Sequence, residues 1–134
     1  MGTLEDKNID VIKRAFALLL EKGDLDGFFA HVSDQCELHE PASLPYGGVY
    51  RGKEEMRRGI TKAIESWGHL EIKKLNYAVG GDEVVVHLDI SGVMRKTGKR
   101  VSMQTLELWR VRDGKVVELR PFLYDTAAIL DACK

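Results

Sequence analysis

A chain of 134 residues with 20 Lys and Arg against 21 Asp and Glu has a formal charge of −1, which gives no basic footprint for nucleic acid. No apolar run reaches the roughly 18–20 residues that a membrane-spanning helix needs, and the start Met-Gly-Thr-Leu-Glu-Asp has no apolar targeting core. The expectation is one domain over residues 1–134 with one core, in the cytoplasm, with Cys36 and Cys133 as free thiols.

Thr3 is placed to cap a helix, with Glu5 and Asp6 in its first turn. Ile9, Ile12, Phe16, Leu19 and Leu20 recur at helical spacing until Gly23 stops the run. Asp24 starts a second helix with the apolar face Leu25, Phe28, Phe29 and Val32. Ser33 to Gln35 reads as a polar break, and Cys36 to Glu40 as a short strand ended by Pro41, which cannot donate to a ladder. A loop with Pro45, Tyr46, Gly47, Gly48 and Tyr50 then leads to a third helix starting near Gly52. Its buried stripe is Met56, Ile60, Ala63, Ile64 and Trp67, and Gly68 is its expected end.

From Leu70 the period changes from 3.6 to 2. Strands are expected over 70–79, 83–94, 101–111 and 116–123, with turns at Gly80-Gly81-Asp82, Thr97-Gly98-Lys99 and Asp113-Gly114. A short helix or tail follows Asp125. Helices grouped before an antiparallel meander predict an α+β domain. Three helices in the N-terminal half offer one apolar surface, so an antiparallel-rich sheet must curve around them as a cone. A cone closed at one end encloses a pocket suited to a small molecule.

Three segments resemble the nuclear transport factor two-like superfamily, and within it the SnoaL-like and ketosteroid isomerase-like proteins. They are Gly23-Asp24-Leu25-Asp26-Gly27 followed by Leu38-His39-Glu40-Pro41, then Tyr46-Gly47-Gly48-Val49-Tyr50-Arg51-Gly52, then the hairpin from Glu107 to Phe122. The resemblance implies the cone fold, a homodimer through the sheet, and cofactor-free chemistry on a small apolar carbonyl or hydroxyl compound. Isomerases, cyclases, dehydratases, hydrolases and non-catalytic binding domains all use this fold, so it does not choose among them. It places a proton-shuttling carboxylate at Glu40 and a protonated acid of an oxyanion hole at Glu107. Ketosteroid isomerase is a known case of an acid kept neutral by an apolar site. Phe16 stands where those isomerases have a tyrosine donor, and Pro121 where SnoaL-type cyclases have an acid.

The residues themselves leave Glu40 and His39 as competitors, because neighbours on a strand point to opposite faces. Glu40 shares a face with Leu38 and Cys36, which suit an apolar wall, and desolvation there would raise its pKa toward a useful base. His39 titrates near neutrality without tuning. Glu107 is expected to be buried and protonated across the cone. Phe16, Leu38, Tyr46, Tyr50, Trp67, Met103, Trp109, Pro121 and Leu123 are the expected substrate-contacting residues, with Tyr46 and Tyr50 in a loop over the mouth. His87, Asp89 and Asp125 are held in reserve with His39. Four scattered histidines show no ligand spacing, so no metal and no cofactor is expected.

Overall fold

The computed structural model describes residues 2–134. Thr3 opens helix α1 (Leu4–Phe16) through a reciprocal capping box, its hydroxyl accepting from Asp6 N at 3.1 Å and its own N–H donating to the Asp6 carboxylate at 3.2 Å. The helix buries Asn8, Ile12, Ala15 and Phe16. The chain then widens into a π-helical turn, Ala17–Glu21, which period-3.6 counting does not foresee. Lys22 N–H donates to the Ala17 carbonyl at 2.9 Å, the i→i+5 bond of that turn. Asp24 caps α2 (Leu25–Phe29), accepting from Gly27 N at 2.9 Å.

Strand β1 (Val32–Glu40) starts earlier than the polar run Ser33–Gln35 suggests, because exposed positions of a strand accept polar residues. Part of the expected loop is also a strand, β2 (Gly48–Arg51), antiparallel to β1 with Leu38 opposite Tyr50. Helix α3 (Gly52–Ser66) is followed directly by β3 (Trp67–Gly80), so Gly68 lies in that strand and does not end the helix. The rest of the meander is β4 (Glu83–Met94), β5 (Arg100–Arg112) and β6 (Lys115–Leu123). Helix α4 (Thr126–Ala132) closes the chain and is capped by the Asp125 carboxylate, which accepts from Ala128 N at 3.2 Å.

The strands form one sheet in the order β2-β1-β6-β5-β4-β3, antiparallel throughout except where β1 runs parallel to β6. The α+β cone expected from the change of period is therefore present. The helices fill its concave side, and burial alternates along each long strand. Val84, Val86, Leu88 and Ile90 of β4 point in, whereas His87 and Asp89 point out. The main core joins Ile12, Phe16, Phe28, Leu38, Met56 and Trp109. A second cluster, with Leu44, Tyr46, Trp67, Met94 and Ile129, ties the β1–β2 connection to α4. Gly59 allows α3 to lie this close: a Cβ there would stand 2.7 Å from the Tyr50 ring and 2.9 Å from Leu38.

Candidate functional site

The cone encloses an apolar cavity of about 140 Å3. An apolar cavity of about 150 Å3 is enough for a benzene-sized guest. The π-helical turn contributes Leu19 and Leu20, α3 contributes Ile60, Ala63 and Ile64, and the inner face of the sheet supplies the remaining wall. Ile64 is 47% exposed, which places the opening beside α3.

Two carboxyl groups reach into this apolar space, Glu40 from the end of β1 and Glu107 from the middle of β5. Strand β6 lies between them, with Leu38 paired to Leu119 and Glu107 paired to Pro121. Two strand spacings separate the backbones by about 10 Å, and both side chains line the same cavity as Pro121 of the strand between them. Burial and the Glu107 charge push the Glu40 carboxyl up to about 8, and among the described residues no hydrogen-bond donor reaches it. Burial also pushes Glu107 up, to about 7, against one stabilising contact: Trp109 Nε1–H donates to its carboxylate at 3.2 Å. Both shifts follow from desolvation, which disfavours the charged form of an acid. Among the described residues no Lys, Arg or His lines the cavity.

Seven of the expected residues line the cavity: Glu40, Glu107, Leu38, Tyr46, Trp67, Pro121 and Leu123. Tyr46 is not over an open mouth. It is 5% exposed and packed with Trp67 and Ile129, and burial together with the Glu40 charge raises its hydroxyl pKa. Phe16, Tyr50, Met103 and Trp109 do not line the cavity. Phe16 and Trp109 are fully buried core residues, and Met103 packs between the two clusters. Tyr50 is held away by its hydroxyl, which donates to the Tyr46 carbonyl at 2.9 Å. Alternation predicts the face of a residue but not its depth.

The reserve residues lie elsewhere. His39 faces the outer side, with Nε2 at 2.9 Å from the Glu37 carboxylate. His87 pairs across strands with Gln104 at 2.9 Å, Asp89 is exposed, and Asp125 is occupied as a helix cap. The structure also brings Glu37, His39 and Glu118 together on the outer face with potential ligand atoms within 4.8 Å of one another, a group that no spacing rule would find. Arg51 already engages Glu37 at 3.1 Å, and Arg120 engages Glu118 at 3.2 Å.

Leu19, Leu20, Leu70, Ile72, Leu88, Ile90, Thr105 and Leu119 were not anticipated as cavity lining. Of the expected buried stripe on α3, Met56 and Ile60 are buried, Ala63 is half-buried and Ile64 is exposed at the cavity's edge, so helical spacing does not distinguish a cavity wall from a core contact.

The SnoaL-like domain family matches residues 12–119, from α1 through the paired strands that carry both acids. The chain belongs to that family. Solved structures share the fold over 95–100% of this chain. An NTF2-like protein from Burkholderia thailandensis E264 is 27% identical with a TM-score of 0.85, covering 100% of this chain and 99% of its own. A candidate SnoaL-like polyketide cyclase from Jannaschia sp. CCS1 is 22% identical with a TM-score of 0.86, covering 99% and 95%. TerC, co-crystallised with polyporic acid, is 21% identical with a TM-score of 0.81, covering 95% and 98%. No curated protein matches this SnoaL-like domain by sequence.

Proposed function

We propose that this SnoaL-like domain is a cofactor-free acid–base enzyme of the isomerase, cyclase, dehydratase or hydrolase type, acting on a small, largely apolar carbonyl or hydroxyl compound. The observation that carries the reading is the convergence of Glu40 and Glu107 in one apolar cavity. Two interacting acids titrate as a pair, so near neutral pH they share one proton and supply a base and an acid together. The Trp109 bond favours charge on Glu107, leaving the resting proton on Glu40. This division is the reverse of the one the resemblance implies. Glu107 takes a proton from the substrate carbon or hydroxyl, and Glu40 donates to its oxygen. Water is excluded by the aliphatic wall, which strengthens both interactions.

General acid–base catalysis contributes about 10²–10⁴-fold. With a substrate in hand, Glu40→Gln and Glu107→Gln should each lose turnover on that scale while circular dichroism shows an intact fold, and His39→Gln should keep most activity. The pH profile should be a bell, rising near 7 and falling near 8, the values to which the two acids are pushed. Activity surviving Glu40→Gln and Glu107→Gln, or lost with His39→Gln, would refute the assignment.

One observation favours a second reading, a non-catalytic ligand-binding domain: Phe16 is a core residue and offers no hydroxyl to an oxyanion. We place the protein in a reducing, cytoplasmic setting, which suits two free cysteines. A homodimer through the convex face is also part of the reading, since Leu106 and Phe122 are paired there and 44% and 53% exposed.

A further inference from the structure

Acids buried in proteins are usually balanced by a cation or by several donors. The cavity departs from this. Glu40 comes from β1 and Glu107 from β5, and the remaining polar atoms facing inward belong to Tyr46, Trp67 and Thr105. Apart from Trp67 at the start of β3, the π-helical turn, α3, β3, β4 and β6 present only aliphatic side chains and Pro121. The Cys133 thiol lies on the segment behind Tyr46, and on the outer side His39 and Arg120 border a groove that Glu40 also reaches, His39 engaged with Glu37 and Arg120 with Glu118. The Thr105 hydroxyl already donates to the Phe122 carbonyl at 2.9 Å, so toward a guest it can only accept. Once ionised, both acids therefore prefer a positive partner, and among the described residues no Lys, Arg or His of the cavity wall supplies one.

The geometry points to a small lipophilic ammonium ion as a ligand class for this cavity, seated between Glu40 and Glu107 with its alkyl groups on the aliphatic wall. A quaternary or tertiary ammonium fits better than a primary one. It brings apolar surface to an apolar wall, and Tyr46 and Trp67, both in that wall, are ring types that attract a cation placed over them. The same arrangement disfavours carboxylate ligands, because they would meet two acids and no cation. The inference rests on the cavity being a small-molecule site and not on its being catalytic. A cation of this kind would also release the shared proton, since a positive neighbour favours both acids in their charged form.

Three soluble probes of nearly one shape separate the possibilities: choline, its neutral isostere 3,3-dimethylbutan-1-ol, and the anion 3,3-dimethylbutanoate. Calorimetric titration of the full chain in amine-free buffer at pH 8 should show choline binding about tenfold or more tighter than the alcohol, the scale of a desolvated cation–π contact plus a charge pair. The anion should bind weakest. At pH 5.5 the advantage of choline should shrink to less than about threefold, because both acids are then protonated in the free protein. Choline carries a fixed charge, so this change reports the protein alone. Repeating the pH 7 titration in buffers of different ionisation enthalpy should reveal proton release with choline and none with the alcohol. The double variant Glu40→Gln/Glu107→Gln should keep the alcohol and lose the preference for choline. If the alcohol binds as tightly as choline at pH 8, or the preference survives in the double variant, the ammonium proposal fails while the cavity remains a ligand site. If none of the three binds, the proposal fails and the small-molecule reading loses its support as well.

Discussion

Glu37 and Glu40 are three residues apart on one strand and live in opposite electrostatic worlds. Glu37 lies on the convex face, where the His39 imidazole and the Arg51 guanidinium hold its carboxyl below the usual range. Glu40 lies on the concave face among aliphatic side chains, where burial and Glu107 push it up to about 8. The same contrast recurs across the sheet: Glu118 is paired with Arg120 outside, and Glu107 is paired with no cation inside. Every outer acid of β1 and β6 is placed for solvation and pairing. The two inner acids are placed at a cost to stability that a proton relieves and, for Glu107, the Trp109 donor relieves in part, an environment of the kind that the proposed site requires.

The contrast can be tested most severely at the neighbours Leu38 and His39. Leu38→Ala removes a buried side chain from the wall between β1 and α3 and should cost about 2–5 kcal/mol in denaturant unfolding. His39→Ala removes one half-buried outer pair and should cost less than about 1 kcal/mol. Equal costs would mean that the two faces are not as different as their burial suggests.

The pH dependence of stability comes next. The folded-state values of Glu40 and Glu107 are raised above the unfolded value of 4.5 to about 8 and about 7. The native state then holds more protons than the unfolded one between pH 4.5 and 8. The stability associated with these protons is fully present below pH 4.5 and is lost as pH rises through 7 and 8. The loss should be on the order of a few kcal/mol, and Glu40→Gln/Glu107→Gln should flatten it. Glu37, with a lowered value, has the opposite sign: its contribution is present above the unfolded value and disappears as pH falls through the folded one.

A smaller effect is expected at Trp109. Trp109→Phe deletes the side-chain donor that Glu107 has among the described residues and should cost about 1–3 kcal/mol. It should also move the Glu107 titration upward, read by carbon-detected NMR of the carboxyl. A stability loss without that movement would make Trp109 a packing residue only. The smallest effect is expected outside: Phe122→Ser should leave monomer stability within about 0.5 kcal/mol but should weaken the proposed dimer in analytical ultracentrifugation.

How much of this was legible in the sequence follows the same division. Alternation placed Cys36, Leu38 and Glu40 on one face and His39 on the other, because a half-buried strand has a strict period of two. The turn at Asp113-Gly114 and the cap at Thr3 were readable because each has local chemistry. Strand β2 was not, since Gly47, Gly48 and Pro45 read as a loop until β1 is there to pair with. The π-helical turn was hidden because Leu18, Leu19 and Leu20 satisfy any helical period. Cavity lining was the least legible feature. Phe16 and Trp109 have the right faces but lie too deep, and Leu88 and Ile90 look like ordinary core.

The parallel pairing of β1 with β6 has a consequence for the order of assembly. Val32 meets Val116 and Leu38 meets Leu119, so this seam joins segments far apart in the chain, while the β3–β4–β5–β6 meander needs only local hairpins. Loop-closure entropy makes such distant contacts slow to form. The expected order puts Glu107 on the finished meander before Glu40 arrives, so that closure of the seam is the step that brings like charges together above neutral pH. Refolding should slow as pH rises from 6 to 9 in the wild type, and Glu40→Gln should remove most of that slowing.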